Sequence, residues 1–303
     1  MVWLHENREE FKNAVLYTAE TNKLNPVVVE KDYYVTLILK GLKDRLPFIV
    51  FKGGTSLSKC HKAIKRFSED IDVTIDTKLT QGQMGRVKDS VKAVATLLGL
   101  GIPNIDETRS RRSYNKYLIT YETVLEGLDW GLQPTVILET SFAEVSFPTV
   151  IIPVHSYLGD MLEKEEPEQV EAFGLKPFEM KVQGLDRTLI DKVFAICDYY
   201  LKGDVRRHSR HIYDIYKLMP LVPQTEDFKA LVGEVRTVRA MTNICPSAES
   251  SVDVPKLLTQ LIEDEVYKDD YESITSRILE EAVRYETAIE AVMVLAKSGI
   301  FDQ

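Results

Sequence analysis

Apolar positions along this 303-residue chain recur with two different periods. In residues 5–20, Phe11, Val15, Leu16 and Ala19 repeat at helical spacing and predict a first helix with those four inward. Asn25 and Pro26 open a second helix, since a proline in the first turn lacks only an N–H that the helix leaves unbonded. In its sequence, VVVEKDYYVTLILKGL, Glu30, Lys31 and Asp32 interrupt a largely apolar pattern and read as braces for a site, as substrate ligands or as a solvated face. Residues 46–51 form an apolar strand that runs into Gly53-Gly54, and a helix beginning at Thr55 or Ser56 is expected to reach Ile64. Residues 70–75 then alternate with period two, which predicts a strand with Ile71, Val73 and Ile75 on its apolar face. Val87, Val91, Val94, Ala95 and Leu98 predict a helix over 84–98, stopped by Gly99, Gly101 and Pro103. Strands are expected at 114–121 and 134–140, and a short edge strand at 150–155. From Leu185 onward the period is helical, first through Leu189, Val193 and Ile196. Pro220 and Pro223 break a helix, and helices are expected at 225–240, 255–265 and 273–297. The last carries an amphipathic stripe from Ile274 through Ile278, Ala282, Tyr285 and Ile289 to Val292 that needs a partner, most simply this same chain.

Strands interleaved with helices in the first half and helices alone in the second make an α/β (α+β) chain with a mostly helical C-terminal domain. Pro148, Pro153, Gly159, Pro167 and the acidic run at 163–168 mark the junction, giving domains of 1–165 and 166–303. A formal net charge of -9 excludes a broad DNA-coating surface but leaves room for a local basic groove or a basic partner. Cys60, Cys197 and Cys245 have no paired or metal-ligand spacing and fit reduced thiols in a cytoplasmic protein. No apolar run approaches membrane-spanning length. The polar stretch 104–113, with Arg109, Arg111 and Arg112, reads either as a flap over an RNA backbone or as a plain surface loop.

The candidate chemistry lies between residues 50 and 75. Asp70 and Asp72 are two apart on a predicted strand, so their carboxylates leave the same face. Two neighbouring carboxylates repel unless a cation lies between them, and Mg²⁺ suits the place, because it takes hard oxygen ligands from one or two carboxylates plus substrate phosphates. Gly53-Gly54 permits close backbone approach, and a helix starting just after it points N–H groups at an anion. The Gly-Lys-Ser/Thr ending of a Walker loop is missing. Glu69 either caps or faces water.

Gly-Gly, a helix and Asp-x-Asp on a strand resemble the first motif of the nucleotidyltransferase superfamily related to DNA polymerase beta. The fuller form, GGTSLSK followed by RFSEDIDV, is similar to one branch, the AbiEii/AbiGii toxin family of bacterial toxin–antitoxin and phage-abortive-infection systems. The resemblance implies a polymerase-beta-like core with a mixed sheet and a helical C-terminal domain contributing to the active-site cleft. It implies Mg²⁺ or Mn²⁺ as metal and an NTP as substrate. Gly53, Gly54, Thr55 and Ser56 would cradle the phosphates, and Arg66, in an Arg-x-Ser match, would be a ligand or brace. Glu139 in VILETSF matches the slot of a third metal carboxylate beside Asp70 and Asp72, against the plainer alternative of a half-exposed residue paired with a lysine. LIDKVFAI resembles the family's second catalytic element and puts Lys192 at the site. Arg210 and Asp214 match a further motif in which His211 stands where the family usually has an acid. Asp214 is then an active-site carboxylate working with Lys192, or an internal brace for Arg210 four residues earlier. The expected activity is transfer of a nucleoside monophosphate to an acceptor such as a tRNA 3′ end, with a cognate antitoxin encoded nearby. Transfer to a protein hydroxyl, or a non-catalytic nucleotide- or partner-binding role on the same scaffold, are the alternatives.

Overall fold

The structure is a computed structural model that describes residues 2–66, 68, 70–125, 133–242 and 244–302. Glu69 lies outside the described residues. The chain divides into two compact units. One comprises residues 1–60, 69–145 and 150–182, the other 61–68, 146–149 and 183–303. Residues 166–182, expected with the helical half, belong to the sheet unit, because the strand at their end pairs beside the first strand of the chain.

The sheet unit contains β1 (Ile49–Lys52), β2 (Ile71–Ile75), β3 (Tyr114–Thr120), β4 (Thr135–Val145), β5 (Thr149–Val154) and β6 (Phe178–Gln183), in the order β3-β4-β2-β1-β6-β5. The sheet is mixed: β1 runs antiparallel to β2 and parallel to β6, and β2 runs parallel to β4. Its helices are α1 (Arg8–Asn22), α2 (Pro26–Arg45), α3 (Gly53–Lys59), α4 (Gln81–Leu97), α5 (Tyr157–Glu165) and α6 (Pro167–Ala172). Asn25 caps α2 by accepting from Val27 N at 2.9 Å, with Pro26 in the first turn as its sequence predicts. α2 is apolar on nearly every side and lies in the core with Val29, Tyr33, Ile38 and Leu39, beside Phe11 and Val15 of α1 and Val87, Val91 and Val94 of α4. On α1 the inward fourth residue is Thr18, and Leu16 is exposed.

The helical unit contains α7 (Leu185–Leu201), α8 (Arg210–Leu218), α9 (Glu226–Ala240), α10 (Val254–Glu263), α11 (Lys268–Ser273) and α12 (Tyr285–Lys297). α8 packs between α7 and α12, and α10 packs on α12. Leu189, Val193, Ile196, Ile212, Ile215, Leu258, Val292 and Leu295 are buried there. Arg239 of α9 bridges Asp191 and Asp198 of α7, at 3.0 and 2.9 Å, and Arg187 reaches Asp191 at 3.1 Å. Asp191 thus ties two helices together.

Two predicted helices are shorter than their apolar spacing suggests, for one shared reason. α3 ends at Lys59 rather than Ile64, and α12 begins at Tyr285 rather than 273. Residues 61–66 are not helical, and Lys62 among them is left-handed (φ 53°). Arg66 pairs as an antiparallel bridge with Leu279, and Lys65 O accepts from Glu280 N at 3.1 Å and from Tyr213 OH at 3.1 Å. Those bonds fix Arg66 and Leu279 in strand pairing, and there tertiary pairing overrides the local helical pattern.

Candidate active site

Strand register places four charged side chains in a row on one face of the sheet. Lys52 of β1 is opposite Asp72 of β2, Asp72 is opposite Glu139 of β4, and Glu139 is opposite Lys116 of β3. Residues in register on neighbouring strands share a face, about 5 Å apart. Across four strands the charges therefore run plus, minus, minus, plus. Ile71, Val73, Leu138 and Tyr117 point to the opposite, buried face. Glu139 is 29 % exposed, and its Oε1 lies 3.5 Å from Lys116 Nζ. Lys116 was not singled out by its sequence. Only the register of β3 against β4 brings it beside Glu139.

Gly53 closes one side of Asp72. It has a left-handed φ of +79°, and a Cβ built on it would lie 2.0 Å from Asp72 Oδ2. No other residue fits there without moving the carboxylate, which is the physical content of the glycine that opens α3. The helix starts at Gly53 itself, two or three residues earlier than expected. Ser56 is fully buried and its hydroxyl donates to Gly53 O at 2.9 Å, so its side chain braces the turn. Thr55 is buried as well. The first N–H groups of such a turn have no carbonyl within the helix to bond.

Asp70 stands just before β2 and is half-buried. Lys31 of α2 lies within electrostatic range: burial pushes its ammonium down to about 8, while the Asp70 charge acts in the opposite direction. None of the three α2 charges lies on a solvated face. Glu30 is 1 % exposed and accepts from Val124 N at 2.8 Å and Thr123 Oγ1 at 2.7 Å. Asp32 pairs with Lys59 and accepts from Tyr157 N at 2.9 Å. The signal for this was present as three charges inside an apolar helix, since buried charges are found paired.

In the helical unit a second group of charges meets around Asp214, which is completely buried. Arg66 grips it with two bonds, Nε to Oδ1 at 2.7 Å and a terminal guanidinium nitrogen to Oδ2 at 2.8 Å. Lys192 Nζ lies 2.8 Å from Oδ2 and 3.2 Å from His211 Nδ1. Burial opposes the Asp214 charge, but Arg66 and Lys192 outweigh it and hold the carboxyl well below the usual range. His211 is driven well below its ordinary value by burial and by the charges of Lys192 and Arg210, so it is neutral and accepts from the lysine. The residue standing in place of an acid thus keeps an acceptor toward Lys192 without adding a charge. Both Asp214 oxygens are bonded to Arg66 and Lys192, so the brace it provides is to Arg66, not to Arg210. Arg210 is half-buried in the first turn of α8.

The residues on the sheet suit a hard divalent cation. Asp70, Asp72 and Glu139 offer carboxylate oxygens only, the donor type that Mg²⁺ and Mn²⁺ take. Among the described residues, no three His, Cys, Asp or Glu side chains converge into a ready-made cage. A Mg²⁺ held by one or two carboxylates and completed by substrate oxygens needs none. Among the same residues, no helix is long and apolar enough to cross a membrane.

The profile of a family described as nucleotidyl transferase AbiEii toxin, type IV TA system, matches residues 37–292. No curated protein matches the chain.

Proposed function

The chain belongs to the AbiEii family of nucleotidyltransferase toxins, and from that premise we propose that it transfers a nucleoside monophosphate from an NTP to an RNA acceptor, with a tRNA 3′ end as the expected one. The observation that carries this reading is the pair of registered carboxylates, Asp72 and Glu139, with Gly53 pressed against the first. Two acids side by side cost stability in an ordinary sheet, and function accounts for keeping them.

Asp70 and Asp72, with Glu139 as third, would hold Mg²⁺ or Mn²⁺. When bound, that ion polarises the phosphate oxygens and lowers the pKa of an attacking hydroxyl. The backbone N–H groups of Gly53, Gly54 and Thr55 would receive the β- and γ-phosphates, with Ser56, whose N–H falls within the helix, bracing the turn through its hydroxyl. The family resemblance gives Lys192 and Arg210 the part of cations for phosphate oxygens, and within the helical unit Asp214 with Arg66 fixes the position of Lys192. The acceptor hydroxyl forms a bond to the α-phosphorus, the bond from that phosphorus to the bridging oxygen breaks, pyrophosphate departs and the proton is lost to water. A cytoplasmic setting and a neighbouring antitoxin follow from the family's character as one half of a toxin–antitoxin pair.

The test is transfer of label from each α-³²P NTP to tRNA, total RNA and protein, with and without Mg²⁺. Metal-dependent labelling of RNA is expected, lost in the double variant Asp70→Asn/Asp72→Asn. Labelling of protein alone would replace the acceptor. No transfer with any NTP, or transfer unaffected by the double variant, would remove the assignment of these carboxylates.

A further inference from the structure

At one edge of the sheet unit a cationic surface continues from the carboxylate row. β3 is an edge strand, and Lys116 at its middle is the last member of the row. Two residues back along β3, and so on the same face, Tyr114 is 49 % exposed. Beyond it the chain carries Arg112, Arg111 and Arg109, all exposed. Neighbouring strands lie about 5 Å apart, which puts Lys116 about 10 Å across the sheet from Asp72.

The loop that presents these arginines is held in place. The Asn115 amide bonds both ways to Arg109, accepting from its N and donating to its O, each at 3.0 Å. Lys88 of α4 donates to Ile105 O and Thr108 O at 2.8 Å each. Asn104 clamps the loop's start to β3, donating to Lys116 O and accepting from Leu118 N, both at 2.9 Å. A plain surface loop has no need of three separate clamps, whereas a binding loop benefits because less ordering remains for the encounter. Within 104–116 the four cations Arg109, Arg111, Arg112 and Lys116 face two acids, Asp106 and Glu107, in a chain whose net charge is -9.

Resting on the nucleotidyltransfer reading, we propose that this edge is where the acceptor RNA strand lies. Its phosphates meet Arg109, Arg111 and Arg112, and one base stacks on Tyr114, so that the strand's end is led along β3 toward Glu139 and Asp72. Guanidinium groups on phosphates with an aromatic face between them is the chemistry by which single strands are held without regard to sequence.

The test uses the full chain with bulk tRNA and with a fluorescent 20-nucleotide oligoribonucleotide. Three variants are compared with wild type: Arg111→Glu/Arg112→Glu, Tyr114→Ala, and a charge-matched control, Lys12→Glu/Lys23→Glu, on α1 and its C-cap. Each phosphate contact contributes about 0.7 to the slope of log affinity against log salt for a single strand. The double arginine variant should therefore flatten that slope by about 1.4 and raise KM for tRNA, with NTP affinity unchanged. Tyr114→Ala should weaken oligonucleotide binding by about tenfold with the slope unchanged. The control should behave as wild type. If wild type labels RNA while the arginine variant keeps the control's slope and KM, the surface is misplaced although the transfer reading stands. If wild type labels only protein, both fall together.

Discussion

At Gly53 the backbone turns with φ +79° and leaves no room for a Cβ, because Asp72 Oδ2 would lie 2.0 Å away. Gly53→Ala therefore does two separable things. It forces an L-residue into the left-handed region, at about 1–2 kcal/mol, and it displaces the carboxylate on which transfer depends. The first effect lowers the melting temperature by a few degrees, at about 2–4 °C per kcal/mol for a unit of this size. The second lowers transfer by about 100-fold, since displacements near 1 Å have that effect at a reacting centre. Activity falling only in proportion to folded protein would show that Gly53 serves the fold alone. The role of Gly53 could be anticipated from GG before a helix, but its contact could not, because a clash with Asp72 depends on how β1 and β2 pair. Asp214 was legible only in part for the same reason. Its four-residue spacing from Arg210 suggested one partner and the resemblance another, Lys192, which does lie beside it; Arg66, 148 positions away in the sequence, was suggested by neither.

Strand register does at the scale of elements what sequence motifs cannot. The alternation in 70–75 predicts which face each residue takes, and the observed burial of Ile71, Val73 and Ile75 agrees. Which residue stands opposite which is settled only by pairing, and pairing put Glu139 beside Asp72 and Lys116 beside Glu139. Helices α4 and α7 were likewise legible from period 3.6, and α2 from its Asn25-Pro26 start, while the end of α3 and the start of α12 were not, because Lys65 and Arg66 bond to Glu280 and Leu279 from more than two hundred residues away. The register yields a prediction for Glu139→Gln. Without metal, the variant loses a half-exposed pair with Lys116 and also loses repulsion from Asp72. Each is about 0.2–1 kcal/mol and of opposite sign, so the melting temperature should barely move. With Mg²⁺ added, wild type should rise in melting temperature and the variant less, and the variant should need more Mg²⁺ for half-maximal transfer. A large loss of stability in EDTA would make Glu139 a structural residue, and an identical Mg²⁺ requirement would remove it from the metal set.

For the whole molecule, the ionisable groups buried on folding set a direction for stability against pH. His5, His61, His208 and His211 all have pKa values lowered in the fold, in each case chiefly by burial. His211 is lowered most, with Lys192 and Arg210 adding to burial, and its bond to the lysine requires a neutral ring. In the unfolded chain these rings take up protons near pH 6.5. Below that pH the unfolded state binds protons that the native state refuses, so stability present above pH 6.5 is lost as pH falls. Asp214 adds a second, more acid stage: its folded pKa is depressed, its contribution is full above the unfolded value near 4, and it is lost as pH falls further. Urea unfolding at pH 8, 6.5 and 5 should therefore show midpoints that decline across the histidine range before Asp214 titrates, with Glu30, whose buried carboxyl is pushed up, opposing only part of that decline. His211→Gln keeps an acceptor for Lys192 but cannot take a proton, and its midpoint should decline less between pH 6.5 and 5 than that of wild type. A wild-type midpoint that is flat or rises on acidification over that interval would mean that these rings accept protons in the native state, and the neutral His211 that Lys192 bonds to would have to be given up.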